Sequence, residues 1–174
     1  MASLETIADA KVQAAVTRRL DALTAEIVSI KEEMNARGVL PSSMTVNKIH
    51  EACILVFDAV RDDMKAEYAV VLNEAFWPTE RLTARMILAA SGQLDAVANR
   101  ALGEIQQAGQ SLTNSSMHAQ LCKDATTARD RALTDLSLFI DGHSKIMTSR
   151  RLKRLVTYIP ELIKSMITGE RKSG

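Results

Sequence analysis

Apolar positions recur at threes and fours along nearly the whole chain, the spacing that lines one face of an α-helix. No period-two run is long enough for a half-buried strand, and no tight hairpin dipeptide separates two apolar runs. The predicted class is therefore all-α. Four long helices and a shorter last one account for the pattern.

The first helix spans residues 4–37, with Gly38 as its stop and Pro41 just beyond. Its Leu20, Leu23, Ile27, Ile30 and Met34 follow the alternating fours and threes of a coiled-coil seam, with Val16 one turn earlier. A stripe that narrow suits one or two neighbouring helices and reads as a partner-binding face. Thr45 or Asn47 is the expected cap of the second helix, which runs to Phe76 or Trp77. Ala52 to Phe57 is an unbroken apolar run that sweeps round the helix axis, so this helix is predicted to be central and covered on all sides.

Pro78 ends that helix, and Thr79 and Glu80 suit the first turn of a third. Trp77 is expected to plug the end of the bundle. Leu82, Met86, Ala90, Leu94, Val97, Ala101 and Ile105 give the third helix a stripe rich in small residues. A polar linker at 109–116, with Asn114, Ser115 and Ser116 as competent caps, leads into a fourth helix closed by Gly142.

Short connections between long helices predict an elongated up-down-up-down four-helix bundle over residues 1–142. Residues 143–174 form an additional C-terminal helix and tail. There Leu152, Leu155, Ile159, Leu162 and Met166 make an apolar stripe interrupted at Pro160. An exposed stripe of that size is uncommon on soluble proteins, so docking on the bundle is expected.

Composition narrows the reading only a little. With 47% hydrophobic and 25% charged residues, 7 Gly and 3 Pro, the chain has the make-up of a globular helical protein, not a disordered or collagen-like one. Two distant cysteines do not make a disulfide framework. Neither a secretory leader nor a membrane-spanning stretch is evident, and a cytoplasmic protein is expected.

The net charge of +1 conceals an asymmetry. From Lys145 onward eight basic residues face Glu161 and Glu170, a balance of +6, which leaves 14 basic and 19 acidic residues in the rest, or −5. The basic patch comprises Arg150, Arg151, Lys153, Arg154 and Lys164. Such a segment can meet the acidic body, lie on an anionic membrane surface or touch nucleic acid. The absence of Trp and Phe from its apolar face, and of any groove-reading motif, disfavours the last two.

Candidate chemistry is sparse. His50 and Cys53 open the second helix and His118 and Cys122 the fourth, so parallel helices would bring two imidazoles and two thiols to one height as metal ligands. Neither spacing is specific, those helices sit on the diagonal of a square bundle, and buried Cys is commonly a small apolar residue. Asp58, Asp62, Asp63 and Glu67, with Glu32 and Glu33, resemble a magnesium-binding set, but interleaved Arg61 and Lys65 point to a solvated, ion-paired face. No nucleophile elbow or phosphate loop is present, and His143 reads as an idle surface residue.

No catalytic residue and no cofactor is therefore assigned. The expected function is a non-enzymatic helical-bundle interaction protein that presents helix faces to a protein partner, such as a second copy of itself. Membrane-surface or nucleic-acid binding through the basic segment, and a bundle housing a metal or small ligand, are the alternatives.

Overall fold

In the computed structural model the backbone is described for residues 4–40, 42–75, 78–110 and 115–168, and the side chains of 4, 5, 115 and 155–168 are not. The described residues form four helices and no strand: α1 (Leu4–Ala36), α2 (Ser43–Glu74), α3 (Glu80–Gly109) and α4 (Ser115–Thr168). The fold is all-α.

Local chemistry sets the boundaries. Gly38 adopts φ +70°, which costs a glycine nothing. The turn there closes with Gly38 N–H donating to Asn35 O and Val39 N–H to Met34 O, both at 2.9 Å, the paired bonds of a Schellman stop. The next helix starts earlier than expected. Ser42 is its cap, accepting from Thr45 N–H at 3.3 Å, and the Thr45 hydroxyl reaches back to Val39 O at 3.0 Å. Thr45 is thus a buried polar residue whose hydroxyl is satisfied, not the cap itself. Thr79 caps α3, accepting from Leu82 N–H. Trp77 and Asn114 lie outside the described residues.

Ion pairs give the helix directions. Lys11 meets Glu67, Arg19 meets Asp63 and Glu33 meets Lys48, so α1 and α2 run antiparallel. His50 faces Asp124, Arg61 faces Asp135 and Asn73 faces His143, so α2 and α4 run parallel and side by side. Gly109 lies against His118 and Asp95 meets Arg129, which makes α3 and α4 antiparallel. Among the described residues α2 touches all three other helices, whereas α1 and α4 do not meet. The central place expected of α2 is observed, but α2 and α4 are neighbours and not a diagonal pair.

The core runs the length of α2, including Val46, Ile49, Cys53, Phe57, Met64, Tyr68 and Leu72. The α3 stripe from Leu82 to Ile105 is turned onto it as predicted. Ala90, Ala101, Ala125 and Ala132 are all buried, and small side chains there let α3 and α4 lie close to their neighbours.

Two further expectations fail. The run Ala52–Phe57 is not covered all round, because Leu55 is 63% exposed. With α1 and α4 apart, no described residue covers the face of α2 turned away from α3. Nor does Gly142 close α4, which continues to Thr168, so the described residues hold no separate fifth helix. An exposed Gly in a helix costs only about 1 kcal/mol against Ala, too little to stop one whose neighbours favour continuing.

Past Ile140 no described residue of α4 is buried. A groove of about 950 Å³ separates this overhang from the start of α3, between Pro78, Glu80 and Thr83 on one side and Asp141, Lys145 and Leu152 on the other. Of the five side chains expected to dock, Leu152 is exposed and the other four lie outside the described side chains.

Candidate functional site

The four His and Cys candidates are not brought together. His50 turns to α4, its Nε2 buried, without a hydrogen-bond partner and 3.8 Å from Asp124 Oδ2, near enough for attraction when the ring is charged but too far for a hydrogen bond. Cys53 turns to α3, where its thiol points at Ala101 O across 3.9 Å. Burial, chiefly, pushes that thiol up to about 12, so at neutral pH it is a packed apolar group and not a ligand-ready thiolate. His118 and Cys122 face each other within α4 at 3.9 Å, and the His118 ring lies against Gly109 at the end of α3. Among the described residues no three His, Cys, Asp or Glu side chains are placed to share a metal ion.

The carboxylates engage arginines and lysines. Asp63 accepts two hydrogen bonds from Arg19, at 2.7 and 3.0 Å. Those bonds hold the Asp63 carboxyl below the usual carboxylate range. Arg61 donates to Asp58 at 2.6 Å, Asp62 at 2.9 Å and Asp135 of α4 at 3.3 Å, which lowers Asp62 in the same way. Glu67 pairs with Lys11, and Glu33 with both Lys48 and Arg37. Asp58, Asp62, Asp63, Glu67 and Glu33 thus each face a cation across or along a helix, the arrangement of an ion-paired surface and not of a converging magnesium site.

The seam assigned to a partner is occupied within the chain. Leu23, Ile27 and Met34 are buried, and Leu20 and Ile30 are packed against the core. Heptad spacing had identified a seam correctly, but the helix filling it belongs to the same chain. The basic patch also divides. Arg151 donates to the carbonyls of Ala75 and Asn73, satisfying the open C-terminal end of α2, where a cation is favoured. Arg150, Lys153 and Arg154 are exposed, and Lys164 lies outside the described side chains. His143 is not idle either: its Nε2 pairs with Asn73 Oδ1 at 3.1 Å, beside the Arg151 cap.

What remains unfilled is the outward face of α2, in the trough between α1 and α4. Glu51, Leu55, Asp58, Asp62, Ala66 and Val70 are exposed there at spacings of four and three, with Arg19, Ala22 and Glu26 of α1 along one wall beside Leu55. Three acids lie on that stripe, Asp58 and Asp62 bridged by Arg61 at its edge, and Leu55 and Val70 are 63% and 44% exposed. Sequence reasoning missed this surface because the apolar run through Leu55 masked it. The signal was the spacing of Glu51, Asp58 and Asp62, which share one side of the helix with Leu55.

No helix, among the described residues, is long and apolar enough to cross a membrane. No protein-family model matches the chain, and no curated protein or solved structure matches it either.

Proposed function

We propose that the chain is a non-enzymatic helical-bundle protein that assembles with copies of itself, the overhang of α4 in one copy lying in the α2 trough of the next. In this reading the four helices are an up-down-up-down bundle left open on one side. Their alternating directions, together with the gap between α1 and α4, support it.

The trough is the observation that carries the reading. Its stripe of three acids has two exposed apolar side chains, Leu55 and Val70. The overhang offers the complement, Ile146 at 50% exposed with the exposed Arg150 and Arg154 one and two turns further along the same side. Opposite charge steers the two surfaces together and fixes their register, while the apolar side chains supply the burial that holds them. Because the two faces differ, the contact is head-to-tail and propagates to a ring or a filament instead of closing a twofold dimer.

Sedimentation at micromolar concentration is the test. Oligomers should form and dissociate as salt is raised, since the contact is charge-steered. The Asp58→Lys, Asp62→Lys double variant and the Arg150→Glu, Arg154→Glu double variant should each be monomeric alone and associate when mixed. A monomer under every condition overturns the proposal. Transfer of the basic end to anionic vesicles or duplex DNA, without self-association, would replace it by the membrane-surface or nucleic-acid alternative.

A further inference from the structure

We infer that Arg61 is an internal brake on self-assembly, an inference that rests on the contact between trough and overhang proposed above. Its guanidinium occupies the trough acids that the overhang of the next copy needs, and Asp135 is the seat to which it withdraws when that overhang arrives.

Arg61 is partly buried at the edge of the acidic stripe and donates to three carboxylates at once. Its Nε meets Asp62 Oδ1 at 2.9 Å, while Nη1 meets Asp58 Oδ1 at 2.6 Å and Asp135 Oδ2 of α4 at 3.3 Å. The two short bonds lie on the stripe. The long one crosses to α4 and is the weakest of the three.

The side chains of Asp58 and Asp62 are nonetheless 55% and 63% exposed, so an arginine of another copy can reach them. It meets carboxylates already engaged and a like charge already in place. The Arg61 bond holds the Asp62 carboxyl below its usual range, so part of that acid's attraction for a cation is already used within the chain. Arg150 and Arg154 must therefore displace Arg61 as well as approach. Like charges so close repel each other even in a high dielectric.

Asp135 makes the displacement possible. Nη1 already touches it, so a short swing of one side chain moves Arg61 off the stripe and keeps the guanidinium paired throughout. The acids are then exchanged between partners on assembly, not paired for the first time. The balance between the two seats sets the concentration at which copies join.

Sedimentation of wild type, Arg61→Gln and Asp135→Asn at one ionic strength tests the brake. Removing Arg61 should tighten assembly roughly five-fold, the upper worth of one exposed ion pair, and removing its second seat should weaken assembly by a similar factor. A merely structural tie between α2 and α4 predicts one direction for both, because either substitution breaks the same contact. Arg61→Lys keeps the charge but lacks the planar fork that holds two acids together, and should fall between wild type and Arg61→Gln. Adding Arg150→Glu and Arg154→Glu to Arg61→Gln should abolish the gain. If wild type assembles and Arg61→Gln joins no more tightly, if both single variants shift in one direction, or if Arg61→Lys equals wild type, the brake is overturned and the trough contact stands. A gain that survives the overhang substitutions, or a monomer for every variant, overturns both.

Discussion

The two halves of α4 are one helix with two kinds of environment. From Leu121 to Ile140 its inward positions, Leu121, Ala125, Ala132, Leu136 and Ile140, are buried against α2 and α3. Beyond Ile140 the helix passes the end of α2 at Glu74 and the start of α3 at Glu80. Its apolar residues Ile146 and Leu152 face solvent there, and the Arg151 contacts with Asn73 and Ala75 and the His143 bond to Asn73 tie its beginning to the body. Backbone continuity and burial are thus separate matters. The first half is held by its core, and the second inherits helical structure from a helix already nucleated, since extending a helix is far easier than starting one.

Core substitution in the two halves should therefore differ by several kcal/mol. Leu136→Ala removes a fully buried side chain and is expected to cost about 2 to 5 kcal/mol of unfolding free energy. Ile146→Ala should change it by less than about 0.5 kcal/mol. Urea unfolding of the two variants in high salt, which releases the contact between copies, checks this, and equal losses would mean that the overhang is covered within its own chain.

The glycines that begin and end the contrast behave oppositely. Gly142 is exposed within the helix, with nothing within 4 Å of an added Cβ, so Gly142→Ala should stabilise by about 0.5 to 1 kcal/mol. At Gly109 the same methyl group would collide with the His118 ring, and Gly109→Ala should lower the melting temperature by forcing that ring aside. A fall in stability for Gly142→Ala would show that the overhang packs on something at that point.

The same contrast explains what could be read from residues alone. The α3 stripe, the Gly38 stop and the break at Pro78 were legible, because each depends on periodicity or on the backbone chemistry of one residue. Gly142 misled, since its helix penalty of about 1 kcal/mol is easily outweighed in a long helix. The neighbour of each face was not legible. His50 and Cys53 differ by about 60° round the axis of α2, enough to aim one at α4 and the other at α3, and that small angle dissolves the expected ligand set. Likewise the seam from Leu20 to Met34 announced a partner without saying that it is α2 of the same chain. The exposure of Leu55 depends on a helix that is absent from one side, and no local pattern encodes a missing neighbour.

Disulfide trapping between single-cysteine surfaces tests self-assembly through these two regions most directly. Leu55→Cys places a thiol in the trough and Ile146→Cys one on the overhang, on the side of Arg150 and Arg154, while native Cys53 is buried and its thiol strongly protonated. Mixed under mild oxidation with wild type as the control for Cys122, the two variants should form a Leu55→Cys to Ile146→Cys dimer in preference to either homodimer. Absence of that dimer, or a random mixture of the three, would contradict a contact between the overhang of α4 and the face of α2.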